Sequence, residues 1–379
     1  MASKIAKLKA LFRPAIYAVR RYYGRHMSRR VYLVQTEPDQ GVLPLEKKIA
    51  FYFESSSYKL ERIGLRSLRP LLGHGPVLLY GPQKTDVPLW HRLFNGDFDV
   101  NERTFAMEGW SWFDAQVHLE GFPDHHSAKT NFTTWRERLD SSLNRAYLFG
   151  TGPSLSQAID RDWSDGFRIV CNTIVRDRDL WHHINPHAIT AGDAIYHFGY
   201  TEFARSFRRD LLERLRESPK TVLIYPDYFH SKVVSEIPIE PHRLIPVPTG
   251  KSDTVHRCLN DNFELPALGN VLNKLLLPIG CALSRDVRLW GFDGRAPDDK
   301  LFWANSNKHT YPELMHTLQT AHPSFFNHFV PKSDPEQYVR SVHGDVLEHC
   351  FAKAEADGFT FEMMHKSWTE TLERRRVAG

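Results

Sequence analysis

The chain predicts an α/β fold: a mostly parallel, Rossmann-like sheet in the C-terminal half, a smaller α/β unit ahead of it and a helical C-terminus. Three observations predict it. From residue 145 onward, apolar runs that end in Gly or polar residues alternate with stretches of helical periodicity, as parallel strands joined by crossover helices do. The segment from Ala146 to Asn172, AYLFGTGPSLSQAIDRDWSDGFRIVCN, reads as strand, glycine turn, helix and strand. Finally, 379 residues at 41% hydrophobic content, without repeats, suffice for one large core or two modest ones.

Residues 1–30 carry nine Lys and Arg and no acid, against a net charge of +4 for the whole chain. Ile5, Leu8, Leu11, Phe12, Ile16 and Val19 recur at helical spacing, so this arm reads as an interfacial amphipathic helix drawn to an anionic membrane surface. A solvated basic tail or a transit leader are the alternatives. Aromatic interleaving stops at Tyr22 and Tyr23, which argues against nucleic acid. No apolar stretch is long enough for a signal peptide or a spanning helix. Residues 31–140 form the small α/β unit, with strands at Lys48 to Glu54 and Pro76 to Tyr80 around a helix from Tyr58 to Leu72. Trp110, Trp112 and Phe113 there suit either an acceptor-binding surface or a core.

Residues 145–330 are expected to form a nucleotide-binding domain. Strands are expected at Ala146 to Phe149 and before Asn172, then at His187 to Asp193, Thr221 to Asp227, Arg243 to Gly250 and Val287 to Asp293. Helices are expected over Tyr200 to Ser218 and Val271 to Leu283. Residues 331–379 form the helical extension. Ligands bind such sheets beyond the carboxyl ends of the strands, where Thr151, Asn172, Asp193, Asp227 and Asp293 gather.

Gly150, Thr151 and Gly152 make a turn that lets backbone approach a ligand closely. Ser154 caps the next helix, whose Leu155, Ile159 and Trp163 share a face. An anion is expected at that helix start, where free N–H groups and the dipole converge. A dinucleotide site would need Gly at 155 and an acid at 172, but Leu155 and Asn172 stand there. Gly250, Lys251 and Ser252 lack the first Gly of a P-loop, because position 245 is Ile.

GTGPSL, the Cys171–Asn172 pair, a third strand ending in Asp193, a Gly-started apolar helix and the strand ending in Gly291-Phe292-Asp293 together resemble the bacterial sialyltransferases typified by the Campylobacter lipooligosaccharide enzymes. The chain also looks like their relatives among the motility-associated glycosyltransferases and archaeal pterin pyrophosphokinases. The likeness covers about residues 145–330. It implies a GT-A-like Rossmann variant, a CMP-activated nonulosonic acid as donor, inversion without metal or further cofactor, and a His base. On this resemblance Gly150, Thr151, Gly152, Ser154, Asn172, Asp193 and Asp293 hold the nucleotide, with Gly269 and Asn270 beside its sugar-side phosphate. Arg295 and Tyr311 stabilise the leaving phosphate, and one of His309, His316 and His322 is the base.

The resulting expectation is a glycosyltransferase building a bacterial surface glycan or its lipid-linked precursor, cytoplasmic and peripheral on the inner membrane. The alternatives are a Mg²⁺-dependent pyrophosphokinase using ATP, with Asp193, Asp227 and Asp293 near the ion, and a non-catalytic scaffold with a degenerate nucleotide site. The His residues match no known metal-ligand spacing, and four Cys without C-x-x-C suit a reducing compartment.

Overall fold

The computed structural model describes residues 30–39, 44–54, 58–70, 75–82, 86–88, 96–105, 107–251, 258–294, 308–329 and 344–377. It is α/β with two parallel sheets, in two compact units: Met1–Phe122 with Leu318–Pro331, and Pro123–Thr317 with Lys332–Gly379.

In the first unit, β1 (Arg30–Gln35), β2 (Lys59–Arg62), β3 (Val77–Tyr80) and β4 (Asp97–Asp99) form a parallel sheet in the order β2-β1-β3-β4. Two expectations are corrected here. The segment expected as a strand from Lys48 lies in a helix, Leu45–Phe53, because its buried Leu45, Lys48, Ile49, Tyr52 and Phe53 follow the 3.6-residue period once the window starts at Leu45. The expected helix from Tyr58 begins instead as β2 (Lys59–Arg62), and Gly64 lies in the non-helical stretch that follows it. Trp112 and Phe113 are core: Trp112 stacks on Tyr52 with ring centroids 5.1 Å apart, and Phe113 is fully buried. Leu318–Pro331 belongs to this unit, where the Ser324 N–H donates to the Glu102 carbonyl.

The second unit is built on seven parallel strands in the order β11-β10-β5-β6-β7-β8-β9. These are β5 (Arg145–Phe149), β6 (Phe167–Cys171), β7 (Ala188–Thr190), β8 (Val222–Pro226), β9 (Leu244–Val247), β10 (Asp286–Trp290) and β11 (Thr360–Met363). Strands β7, β8 and β9 are buried throughout, as a parallel sheet covered on both faces requires. Helix His125–Glu137 packs Ala128, Phe132 and Trp135 into the same core as helix Leu277–Leu283. The C-terminal extension is not purely helical: helix Asp345–Ala356 returns the chain to add β11 as an edge strand beside β10. Cys258, Cys281 and Cys350 share this core as free thiols, and burial holds the Cys281 thiol well above its ordinary pKa.

Two features place the site. From β5 the chain steps through β6 to β9 in one direction and then returns to β10 on the other flank of β5, so the topological switch lies between β5 and β10. Ahead of Leu277–Leu283, residues Leu272–Leu276 make a wide π-helical turn. Pro278 explains it, since its missing N–H cannot continue the regular i→i−4 ladder.

Candidate functional site

The turns after β5 and β10 are bonded to each other. The Gly150 N–H donates to the Trp290 carbonyl at 2.7 Å, and the Gly152 N–H to the Gly291 carbonyl at 2.9 Å. A Cβ on Gly150 would lie 2.5 Å from the Gly291 oxygen, and one on Gly152 would lie 2.1 Å from Asp293 Oδ2. Gly291 itself needs a left-handed φ of +78°. The glycines therefore serve the approach of one strand end to another, and the switch point is closed by protein.

Asp293 fills the position expected for an external anion. Both of its carboxylate oxygens lie 3.2 Å from the Ser154 nitrogen, and Oδ2 is 2.9 Å from the Ser154 hydroxyl. His365 completes the cluster, with Nε2 2.8 Å from Ser154 Oγ and accepting the Gly291 N–H at 2.9 Å. Its Nδ1 faces the Lys366 carbonyl at 2.8 Å, which assigns the ring proton to Nδ1. Ser154 is thus not the expected helix cap. Pro153–Asp160 is a run of 3₁₀ turns entered from Gly152, and it buries Leu155 while leaving Ile159 exposed; Trp163 beyond it is buried. Thr151 is half-buried at the head of this turn.

Next to this closed corner, the ends of β6, β7 and β8 carry groups under visible constraint. Asn172, a non-glycine residue, sits at φ +52°, and its side-chain oxygen is buried without a hydrogen-bond partner. The Thr190 hydroxyl at the end of β7 is likewise buried and unpartnered. Asp193 caps helix Ala194–Phe198 by accepting the Tyr196 N–H at 3.0 Å. Lys274 rises from the wide turn toward the carboxyl end of the sheet. Burial pulls its ammonium below the usual lysine range, while the Asp193 and Asp227 carboxylates pull it back up, so both acids lie within electrostatic reach. The Tyr228 ring centroid is 5.5 Å from its nitrogen. Asp227, itself buried, stands 2.9 Å from His125 Nε2; burial raises its pKa and the imidazole opposes that rise. Asn270 accepts the Leu272 N–H at 2.7 Å and so caps the turn that carries Lys274, while Gly269 is exposed with open space around it.

The three histidines have different surroundings. His309 is fully buried, 3.3 Å from Asp177 Oδ2, and burial lowers its pKa against the pull of that carboxylate. Its carbonyl accepts the Thr173 hydroxyl, which ties it to the turn that begins at Asn172. His316 is exposed on helix Met315–Ala321. His322 belongs to the first unit, buried with Nδ1 2.5 Å from Glu108 Oε1. Tyr311 is buried, donates its hydroxyl to Asp210 at 2.6 Å and has its pKa raised by burial. Arg295 lies outside the described residues.

No model of a known protein family matches this chain, and a search of curated proteins returns no match. The site must be read from its own chemistry. Among the described residues no three His, Cys, Asp or Glu side chains are grouped to hold a metal ion, and no helix is long and apolar enough to cross a membrane. The Asp193 and Asp227 carboxylates both favour the charged form of Lys274. A cation on the wide turn, two orphaned polar groups on strand ends and an Asp–His pair together offer charge for a phosphate, hydrogen bonds for a ring and sugar, and a proton acceptor. Sequence reasoning missed Lys274, His125 and His365. Lys274 did leave a signal, as the one charge inside the apolar run from Val271 to Leu283.

Proposed function

We propose that the protein is a nucleotide-dependent glycosyltransferase that moves a sugar, in first place a CMP-activated nonulosonic acid, onto a glycan or glycolipid acceptor. The observation that carries this reading is Asn172. A left-handed non-glycine residue with a buried, unpartnered amide oxygen at the carboxyl end of a parallel strand is costly unless a ligand uses it. The motif likeness supplies the donor class, and Lys274 the charge that meets a phosphate. In this reading the departing CMP takes up negative charge beside Lys274, and an acceptor hydroxyl gives its proton to an imidazole. His125, held by Asp227, suits that role better than His322, which is paired inside the other unit. The basic arm keeps the enzyme on the inner face of a membrane carrying the acceptor. The test is release of CMP from CMP-N-acetylneuraminic acid in the presence of EDTA. Release that depends on Asn172 is expected; turnover only with Mg²⁺ and ATP would move the assignment to pyrophosphate transfer.

One observation favours a second reading. The Ser154 amide is already taken by Asp293, as expected of a scaffold with a degenerate phosphate site. That reading predicts no binding of CMP, CDP, UDP, GDP or ATP.

A further inference from the structure

A cavity of about 500 Å³ opens in the second unit, beside the turn that follows β6, in the size range of small-molecule sites. Its walls are the turn Asn172–Arg176, the start of helix Arg178–Ile184, one face of helix Glu202–Glu217 and the segment from Tyr311 to Leu314. Of the lining side chains only Val175 and Leu314 are aliphatic, while four are arginines and three are acids. We infer that this cavity binds a hydroxyl-rich anion, a sugar carrying a carboxylate.

The chemistry of the walls selects that class. Tyr311 is a buried part of the wall. Its hydroxyl is committed to Asp210, the Arg176 guanidinium lies 5.0 Å above its ring, and Phe203 meets it edge-on, so no aromatic face is left on which a base can stack. Asp210 also accepts from Arg209 and is satisfied within the wall. Arg178 and Arg209 are exposed at the rim, each tied to a carboxylate on one side and able to turn further N–H groups inward. The exposed Glu313 and Glu213 carboxylates, paired with Arg176 and Arg214, keep lone pairs that accept hydrogen bonds from hydroxyls. Guanidinium forks matched to a carboxylate, with carboxylates matched to hydroxyls, describe an acidic saccharide. The near absence of aliphatic lining argues against an apolar peptide, and the arginine content against a cation. As the seat of an acceptor this site rests on the transferase reading; as a saccharide site it stands on the cavity alone.

The test is saturation-transfer NMR of the full chain with glucuronate and with glucose, which differ at one carboxylate, each also in the presence of excess CMP. Transfer to glucuronate at least tenfold stronger in affinity than to glucose, unchanged by CMP, is expected. Arg178→Gln with Arg209→Gln should lower that affinity at least tenfold at an unaltered melting temperature, and Arg374→Gln should leave it intact. Equal binding of the two sugars, no transfer to either, displacement by CMP or indifference to the rim substitutions would each overturn the inference. Because CMP binding is read in its own titration, failure of the nucleotide site is separable from failure of this one.

Discussion

Gly152→Ala is the most informative single change to the corner where β5 meets β10. The new Cβ would stand 2.1 Å from Asp293 Oδ2 and 2.8 Å from the Gly291 oxygen, so the carboxylate must move by about 1 Å or more. Moving it breaks the bonds that Asp293 makes to the Ser154 amide and hydroxyl, and charged hydrogen bonds contribute about 1.5–3 kcal/mol each. With the strain left against backbone, the expected loss is about 3–5 kcal/mol. For a unit of this size that lowers the melting temperature by roughly 6–20 °C. Gly269→Ala is the control, since nothing lies within 4 Å of its Cβ position, and it should change the melting temperature by no more than about 2 °C. Asp293→Ala removes the nearer obstacle, so the double variant should fall short of additivity by about 1–3 kcal/mol. Calorimetric melts of the wild type and the four variants decide the matter. If Gly152→Ala melts with the wild type, or the double-mutant cycle is additive, Asp293 does not occupy the turn.

Acid should destabilise the protein through His197, whose burial depresses its pKa to about 3 from an ordinary 6.5. A lowered folded-state value means the unfolded chain binds the extra proton, so the stability is fully present above about pH 6.5 and falls as pH drops toward 3. From pH 8 to 5 the loss is about 2 kcal/mol, and His197→Phe should flatten a urea-midpoint profile by that amount. Tyr311→Phe strips a hydroxyl donor from Asp210 and should cost about 1–2 kcal/mol by chemical denaturation. His309→Ala should destabilise the fold because the ring is fully buried, whereas the exposed His316→Ala should be silent in the same melt. Removing residues 1–29 should release the protein from anionic vesicles in a sedimentation assay while CMP binding persists.

The parallel sheet was legible because strands buried on both faces read as unbroken apolar runs ending in Gly or a polar residue, from Leu148 and Phe149 before Gly150 to Leu289 and Trp290 before Gly291. Short elements were not. KIAFYFE serves a strand or a helix equally well until Leu45 is counted, and TFEM becomes a strand only because β10 presents an open edge to it. The place of the site followed from topology, but its internal pairing did not. Ser154 meets Asp293 and His365 across 139 and 211 residues, and no local pattern announces such partners. His125 and Asp227, 102 residues apart, were hidden in the same way. The histidine-rich stretch after β10 drew attention by composition, yet packing sends His309 beside Asp177 and His322 to Glu108.

The most direct test of the central claim is isothermal titration of CMP into the wild-type chain and into Lys274→Met, both in EDTA, with circular dichroism showing that each is folded. CMP is expected to bind the wild type without metal, and Lys274→Met to weaken binding at least tenfold, about 1.4 kcal/mol or more. No heat of binding with the wild type, or equal affinity in the two proteins, would contradict that claim.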